Sequence, residues 1–166
     1  MLADYHVHTE FSDDSVYSME QVIKDAIAMK MNEICFTDHV DYGIKEDWDC
    51  GHPIAYRGEE LLANVDYPRY FAKIEELRHI YGERIAIKAG LEFGMQMHTI
   101  PQYRDLVEKY PLDFTILSVH QVDDQEFGLR TSRETGAKRN IMNDIMGKCS
   151  ISSSPVRITA YWGIWI

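Results

Sequence analysis

The amino-acid sequence predicts an α/β protein whose strands form a parallel sheet, and two observations carry this prediction. Four short apolar segments alternate with three helical segments over the first 121 residues, which is the rhythm of parallel βαβ units. Each apolar segment also ends in a side chain that can bind a metal ion. Ligand sites of parallel sheets form at the carboxyl ends of the strands, so the sequence predicts a site together with the fold.

The first part of the chain is predicted to run strand, helix, strand and loop. Residues 3–8, ADYHVH, are the first predicted strand. Apolar residues at helical spacing predict a helix over 18–31, with Ser18 as its N-cap. Residues 33–39, EICFTDH, are the second predicted strand. Glycine, proline and many charged side chains in residues 41–66 predict a loop excursion.

The next part repeats the alternation. A helix is predicted over 67–82 and ends at Gly82, since glycine commonly closes helices. Residues 84–94, RIAIKAGLEFG, are the third predicted strand. Two prolines bracket a third predicted helix over 101–111, and residues 113–121, DFTILSVHQ, are the fourth predicted strand.

The predicted strand ends share a metal-capable composition. His6 and His8 are two residues apart and therefore point to one face of a strand. Each strand end taken alone can be explained without a metal ion, as a polar strand edge, a hydrogen-bonded Asp–His pair, a solvated carboxylate or a core histidine. Because all four strand ends carry such residues, a joint metal site explains them better. The residues are His6, His8, Asp38, His39, Glu92 and His120.

Imidazole and carboxylate ligands together favour Zn, Mn or Fe over Ca or Mg alone. A carboxylate such as Glu92 can bridge two metals, and paired metals can hold a phosphoryl group. The remaining histidines fit this site less well. His79 lies inside a predicted helix and is expected at the surface, whereas His52 and His98 are candidates for substrate contact.

Composition bounds the class of protein. A length of 166 residues with 45% hydrophobic residues fits a single globular domain. No long apolar segment predicts a membrane span, and no export signal is expected at the N-terminus. The net charge of −10 disfavours a nucleic-acid partner. Three cysteines without C-x-x-C spacing predict a reduced, cytoplasmic protein.

Four motifs resemble one known family. The segments HVHTEFSDDS, FTDHVD, GLEFG and SVHQVDDQEF, which span residues 1–127, resemble the polymerase-and-histidinol-phosphatase (PHP) superfamily, and within it the histidinol-phosphatase branch. The resemblance implies a distorted (β/α)7 TIM-like barrel, of which this chain would hold the N-terminal portion. It also implies a trinuclear centre of divalent metals and hydrolysis of a phosphate monoester, with the metals offsetting developing charge.

The resemblance also assigns ligands and a substrate. His6 and His8 would hold one metal with Glu92 as a bridge, and Glu92 and His120 would hold the second. Asp14 and His39 would contribute to the third, with Asp13 the less expected ligand. The implied substrate is L-histidinol phosphate, hydrolysed to L-histidinol and phosphate in histidine biosynthesis.

Two alternatives stay open at this point. The chain could be another PHP phosphoesterase, such as a protein-tyrosine phosphatase or a nuclease attached to a polymerase. It could also be a non-catalytic, metal-binding remnant of the family. The acidic net charge disfavours a nucleic-acid substrate, and the residues of the GLEFG and SVHQVDDQEF motifs favour the histidinol-phosphatase branch.

The tail, residues 128–166, departs from the family pattern. Residues 1–127 hold 11 Lys+Arg and 25 Asp+Glu, whereas residues 128–166 hold 6 and 2. Restoring one nucleotide before Gly128 permits a family-like translation of the tail, including a G-H-x-D-type segment that this chain lacks. A frameshift origin is therefore predicted. It would leave the barrel incomplete, with an exposed edge on the fourth strand, an aggregation-prone AYWGIWI end and little phosphatase activity.

Overall fold

The structure, a computed structural model, describes residues 1–126 and 157–159. The helices are α1 (Met19–Ala28), α2 (Tyr67–Tyr81) and α3 (Ile100–Lys109), the last preceded by a 3-10 turn, Met97–Thr99. The strands are β1 (Ala3–Val7), β2 (Glu33–Phe36), β3 (His39–Val40), β4 (Tyr56–Arg57), β5 (Glu60–Leu61), β6 (Ala86–Gly94), β7 (Phe114–Ser118), β8 (Gln121–Val122), β9 (Gln125–Glu126) and β10 (Arg157–Thr159).

One parallel sheet organises the described residues, as the sequence predicts. Its strand order is β1–β2–β6–β7–β10, so these five strands lie in the sheet in the same order as in the sequence. Strand β3 pairs with β6 in the register that β2 begins, because Phe36 lies opposite Ala89 and His39 lies opposite Glu92. The α/β class is confirmed, and all the main strands point their carboxyl ends the same way.

The helices begin within one residue of the predicted positions, whereas α1 ends at Ala28, three residues before its predicted end, and α3 ends at Lys109, two residues before its predicted end. The Ser18 hydroxyl accepts a hydrogen bond from the Gln21 amide, 3.3 Å away, which caps α1. Asp66 caps α2, and the amide of Gly82 donates to the Arg78 carbonyl at 2.9 Å where that helix ends. A Cβ at Gly82 would lie 2.5 Å from the same carbonyl oxygen, so glycine permits the close turn.

The hydrophobic core lies between the helices and the sheet. Met19, Ile23 and Ala26 form the buried face of α1, and Tyr70, Ile74 and Leu77 belong to that of α2. Strand β6 is buried along most of its length, as expected for a central strand of a parallel sheet. The packing fixes β6, and with it Glu92, at the centre of the sheet.

Two predicted strands are divided in the structure. The second prediction, 33–39, is realised as β2 and β3 with Thr37 and Asp38 between them. The Asp38 carboxylate accepts hydrogen bonds from the amide and hydroxyl of Thr9, which draws this point of the chain towards the loop after β1. The fourth prediction ends early at Ser118, and a short hairpin of β8 and β9 follows.

The 41–66 excursion also contains regular structure that its composition did not predict. Strands β4 and β5 form an antiparallel hairpin, with Gly58 in the turn at a φ of +65°. This backbone conformation is accessible to glycine at little cost, which explains the residue at that point.

The expected exposed edge on the fourth strand is wrong. Strand β7 pairs in parallel with β10, with Phe114 opposite Arg157 and Ile116 opposite Thr159. The backbone groups on that side of β7 are therefore used by a strand from the tail. The rest of the tail predictions, including the AYWGIWI end, fall on residues 127–156 and 160–166 and lie outside the described residues.

Among residues 1–126 and 157–159, the longest helix is α2, and none of the helices has the length and apolar character needed to cross a membrane.

Candidate metal centre

Glu92 is the centre of a cluster that gathers the residues predicted from the strand ends. Its Oε2 atom lies 2.9 Å from His6 Nε2 and 3.0 Å from His8 Nε2. Its Oε1 atom lies 3.1 Å from His120 Nε2. The two carboxylate oxygens thus face different histidines. Oε2 faces His6 and His8 at the end of β1, and Oε1 faces His120 after β7. Both β1 histidines reach one oxygen, as side-chain alternation along a strand predicts.

Asp14 joins the cluster from the loop that follows β1. Its Oδ2 atom lies 2.8 Å from His8 Nδ1 and 3.2 Å from His39 Nε2. His39 enters from β3, where it lies opposite Glu92 in the sheet register. The structure therefore brings together all six side chains predicted as metal ligands, from β1 and the loop after it, β3, β6 and the segment after β7.

The donor atoms form three overlapping groups of three residues. Within each group the donor atoms lie within 4.8 Å of one another. His8 belongs to two groups and His39 to two, so the groups adjoin. They are His6, His8 and Glu92; His8, Asp14 and His39; and His39, Asp41 and His120.

Two observations fit these residues to metal ions. The donor set is imidazole nitrogen and carboxylate oxygen, which suits Zn²⁺ and similar transition metals. The buried Nδ1 atom of His39 also has no hydrogen-bond partner among the described residues, and its distance to Glu92 Oε2 is 3.7 Å. A buried polar atom without a partner is costly, and coordination of a metal would satisfy it.

Asp41 and Lys45 are cluster residues that the sequence reasoning missed. Asp41 Oδ1 lies 2.7 Å from His120 Nδ1, on the ring edge opposite Glu92. The buried Lys45 ammonium lies 3.0 Å from Asp41 Oδ2 and 2.6 Å from Asp13 Oδ2. Asp41 follows His39 by two residues in the FTDHVD segment. That spacing, the same as between His6 and His8, was the signal that could have found it.

Two acidic residues of the motifs serve the structure around the cluster. Asp13, the less expected ligand, forms the ion pair with Lys45. Asp38 is fully buried and holds Thr9 through its carboxylate. Burial raises the pKa of Asp38 to about 6, and the hydrogen bonds from Thr9 oppose that rise.

The carboxylates and histidines of the cluster shift one another's pKa values in opposite directions. Burial by itself raises the pKa of Glu92. Hydrogen bonds from His120, His6 and His8 outweigh burial and hold that pKa well below its usual range. Burial likewise opposes the ion pairs of Asp14, whose pKa is also held far below its usual range by His39 and His8.

Two histidines of the cluster, His8 and His120, gain protons more readily than free imidazole. Burial lowers the pKa of His8, but hydrogen bonds to Asp14 and Glu92 dominate and raise it to about 9. Burial also lowers the pKa of His120, and hydrogen bonds to Asp41 and Glu92 raise it to about 10. Metal ions would replace these protons, since a ligating imidazole is neutral.

The other histidines lie away from the cluster or at the surface. The exposed His98 ring lies 2.9 Å from Asp124 Oδ1. His52 lies in the excursion, with its Nδ1 atom 3.5 Å from Glu46 Oε2. His79 is in the last turn of α2 and is exposed, as the sequence predicts.

Comparisons with known proteins identify the family of the chain. The family model described as PHP domain matches residues 4–150. The chain is 33% identical over 123 residues to the histidinol-phosphatase of Lactococcus lactis, covering 74% of this chain and 40% of that protein. It is 26% identical over 141 residues to a probable histidinol-phosphatase of Clostridium acetobutylicum, covering 85% of this chain and 48% of that one.

Solved structures agree. The crystal structure of the Lactococcus lactis histidinol phosphate phosphatase, complexed with zinc, L-histidinol and phosphate, matches with a TM-score of 0.73 and 27% identity. The match covers 90% of this chain and 55% of that chain. A structure from Listeria monocytogenes shares the fold at 21% identity, with a TM-score of 0.58, over 72% of this chain and 45% of that one.

The parallel sheet is accordingly the half-barrel portion of a TIM-like fold, as the sequence predicts. The chain spans less than half the length of the curated relatives that it matches. The matched family range also runs past residue 127. Since the motifs, the strand order and the family model all agree, the chain belongs to the PHP domain family.

Proposed function

We propose that the chain supplies the N-terminal metal-binding part of a phosphomonoesterase that hydrolyses L-histidinol phosphate to L-histidinol and phosphate. The observation that carries the proposal is the Glu92 carboxylate shared between the β1 histidines and His120. Two comparisons support it: the PHP family model matches residues 4–150, which include this cluster, and a histidinol-phosphatase is 33% identical to the chain over 123 residues.

The proposal assigns the six residues to a trinuclear centre of Zn, Mn or Fe. His6 and His8 would hold one ion with Glu92 as a bridge, and Glu92 and His120 would hold the second. Asp14 and His39 would contribute to the third. When bound, such ions offset the charge that develops on a phosphoryl group and lower the pKa of bound water.

The residues around the ligands keep them in position. Asp41 accepts from His120 Nδ1 and so orients the ring with Nε2 towards Glu92. The buried Lys45 ammonium forms ion pairs with both Asp41 and Asp13, which helps to hold the two carboxylates in place. The Ser118 hydroxyl donates to Glu92 Oε1 from the end of β7. A rotationally fixed carboxylate can face two ions without rearranging.

The test combines metal binding with substrate preference. The purified chain, loaded with Zn²⁺, is offered L-histidinol phosphate, phosphotyrosine and single-stranded DNA, and released phosphate or cut DNA is measured. We expect slow phosphate release from this incomplete chain, and faster release from histidinol phosphate than from the other two substrates. Preference for phosphotyrosine or DNA would support another PHP phosphoesterase instead, and metal binding without any turnover would support a non-catalytic remnant.

The test variant is Glu92→Gln, and its matched control is Glu83→Gln. Both make the same chemical change, but Glu83 is exposed between α2 and β6. We expect Glu92→Gln to lose bound zinc by elemental analysis together with turnover, and Glu83→Gln to keep both. Full zinc content in Glu92→Gln would contradict the assignment of Glu92 as a bridge.

We also propose that residues 128–166 arise from a shift in reading frame, with residues 1–127 as the N-terminal portion of the PHP domain. The change in charge composition at residue 128 supports this proposal. Reading the coding DNA tests it, because a single-base change before Gly128 has to open a longer frame. If it does, the chain with the restored frame is expected to turn over substrate faster than the 166-residue chain.

A place in histidine biosynthesis within the cytoplasm is likewise proposed. The free thiols of Cys35 and Cys50 suit a reducing compartment. Fractionation of the producing cells, followed by detection of the chain, tests the location. A histidine-auxotrophic host lacking its own phosphatase tests the pathway, since restored growth requires the proposed activity.

A further inference from the structure

We propose that Glu46, Cys50 and His52 form a second, separate site for a single transition-metal ion of the Zn²⁺ class. The three residues lie in the excursion between β3 and β4, and the proposed phosphatase chemistry uses none of them. They supply one oxygen, one sulfur and one nitrogen. A thiolate beside an imidazole selects Zn²⁺ or a similarly soft ion over Ca²⁺ or Mg²⁺.

The two distances from His52 Nδ1 to the other donor atoms match those of a tetrahedral site. Tetrahedral zinc with ordinary bond lengths places a nitrogen and an oxygen ligand about 3.4 Å apart, and a nitrogen and a sulfur ligand about 3.6 Å apart. His52 Nδ1 lies 3.5 Å from Glu46 Oε2 and 3.7 Å from Cys50 Sγ. All three donor atoms lie within 4.8 Å of one another. An ion therefore fits among them without a change in the backbone.

Hydrogen bonding explains this convergence less well. The separation of His52 Nδ1 and Glu46 Oε2 exceeds the usual N–H···O range of 2.7–3.2 Å. The other contacts are also weak: Cys50 Sγ donates to the His52 carbonyl at 3.3 Å, and His52 Nδ1 lies 3.4 Å from the Pro53 carbonyl. Three ligand types thus meet at distances suited to an ion rather than to a direct hydrogen bond between Glu46 and His52.

The backbone holds Glu46 from both directions. The Glu46 amide donates to the Leu62 carbonyl at 3.1 Å, and the Asn64 amide donates to the Glu46 carbonyl at 2.7 Å. Asp47 next to it accepts hydrogen bonds from the hydroxyls of Tyr67, at 2.8 Å, and Tyr42, at 3.1 Å. Glu46 is therefore tied to the start of α2 before any ion arrives.

A tight turn brings the other two ligands back to Glu46. The Cys50 amide donates to the Asp47 carbonyl at 3.0 Å. Gly51, between Cys50 and His52, has a φ of +83°, which glycine adopts without strain. Part of the ordering cost of binding is thus already met by the fold. Three protein ligands leave the fourth tetrahedral position to water or to an outside ligand.

Cobalt(II) tests the proposal because a Co²⁺–thiolate bond gives a charge-transfer absorption in the near ultraviolet. The six residues of the Glu92 cluster include no cysteine, so this absorption reports on Cys50 and not on that centre. Burial raises the pKa of the Cys35 thiol, which disfavours the thiolate that binds metal. We expect the full chain, titrated with Co²⁺, to show the thiolate absorption, and excess Zn²⁺ to remove it.

Four variant chains complete the experiment. Cys50→Ser and His52→Gln are expected to lose the absorption or weaken Co²⁺ binding at this site at least tenfold. Cys149→Ser, the matched thiol control, is expected to keep it. A His6→Ala/His8→Ala chain is expected to lose turnover and keep the absorption, so failure of the phosphatase proposal is distinguishable from failure of this one.

Several results would overturn the proposal. They are the absence of thiolate absorption in the unsubstituted chain, its persistence in Cys50→Ser, and a requirement for Cys149 in place of Cys50. Equal zinc content in the unsubstituted chain and in Cys50→Ser, measured at saturation, would overturn it as well.

Discussion

Glu92 is nearly buried, yet it keeps its charge because histidines surround it. A buried carboxylate is costly unless it is paired and hydrogen-bonded. Here His6, His8 and His120 provide partners on both oxygens, and the pKa of Glu92 is lowered despite its burial. The negative charge of Glu92 stabilises protonated histidines when no metal is bound. The same charge can stabilise metal cations when they bind.

Asp41 gives the first prediction at this scale. Asp41→Asn removes the charged partner of His120 Nδ1 and leaves the buried Lys45 with Asp13. We expect zinc affinity to fall about 10- to 100-fold, since groups that orient a metal-ligating histidine have effects of that size. We also expect the free energy of unfolding to fall by about 1–3 kcal/mol. Chelator competition and urea unfolding measure the two changes.

The control for this variant is Asp105→Asn on the exposed face of α3, which makes the same chemical change away from the cluster. It should leave both quantities unchanged. Unaltered zinc affinity in Asp41→Asn would show that Asp41 does not orient His120.

The raised pKa values of His8 and His120 predict a pH dependence for the metal-free chain. They are about 9 and about 10, whereas an unfolded histidine titrates near pH 6.5. The folded chain therefore binds these protons more tightly. Their stabilising contribution is complete below about pH 6.5 and is lost as the pH rises through about 9 to 10. We expect the free energy of unfolding in urea, with chelator present, to fall between pH 7 and pH 10.

A His8→Gln chain gives the comparison, because it lacks one of the two groups. Its stability should fall less over the same pH range. Parallel curves for the two chains would show that His8 does not contribute through its proton.

At the scale of elements, β6 joins the two halves of the sheet and carries Glu92, the proposed bridging residue. Its first residues pair with β2, and its later residues pair with β3 on one side and β7 on the other. Both glycines of the GLEFG segment lie where neighbouring groups come close. A Cβ at Gly90 would lie 2.8 Å from the Phe36 carbonyl oxygen and 2.9 Å from the Phe114 carbonyl oxygen.

Gly94 is crowded by the metal cluster and not by backbone. A Cβ there would lie 2.1 Å from Asp41 Oδ1 and 2.9 Å from His120 Nδ1. The same strand therefore has one glycine that permits sheet packing and one that leaves room for ligand-positioning side chains.

This difference predicts separable effects of two alanine substitutions. Gly90→Ala should lower the free energy of unfolding by about 1–3 kcal/mol, because the backbones of two neighbouring strands must move. Gly94→Ala should chiefly weaken zinc binding, because it displaces the Asp41 carboxylate. Thermal unfolding and chelator competition, run on both chains, check the prediction. The reverse pattern, or identical losses in both chains, would contradict it.

At the scale of the whole molecule, the cluster connects segments that are remote in sequence. Ligands come from β1, the loop after it, β3, β6 and the segment after β7. Ions bound there would link these elements in the folded chain. The unfolded chain offers no such arrangement, so binding stabilises the folded state by mass action.

Chelation should therefore destabilise the chain. We expect a lower Tm after removal of zinc and a Tm that rises with zinc concentration. At a zinc concentration of 100 times Kd, each occupied site adds about 2.7 kcal/mol to the free energy of unfolding. Calorimetry with and without chelator measures this. The Glu92→Gln chain should respond less, and an equal response in both would place the stabilising ion elsewhere.

Much of the fold was predictable, because hydrophobic periodicity and capping residues are local properties of the sequence. Ser18, Gly82 and the alternating apolar segments specified their elements correctly. The division of the second predicted strand at Asp38 was not predictable, since it depends on a contact with Thr9 from another segment. The hairpins around Gly58 and after Ser118, and the pairing of β10 with β7, also depend on chain packing.

The sequence by itself determined the class of fold and predicted six candidate donor residues, because parallel strands end at one edge and side-chain types persist in any conformation. The tertiary structure alone decided how these donors share their partners. It placed Glu92 between His6, His8 and His120, revealed Asp41 and Lys45 behind His120, and brought Cys50 and His52 to Glu46. The physical reason is distance: which atoms lie within 3 or 4 Å depends on backbone turns and packing that no local pattern specifies.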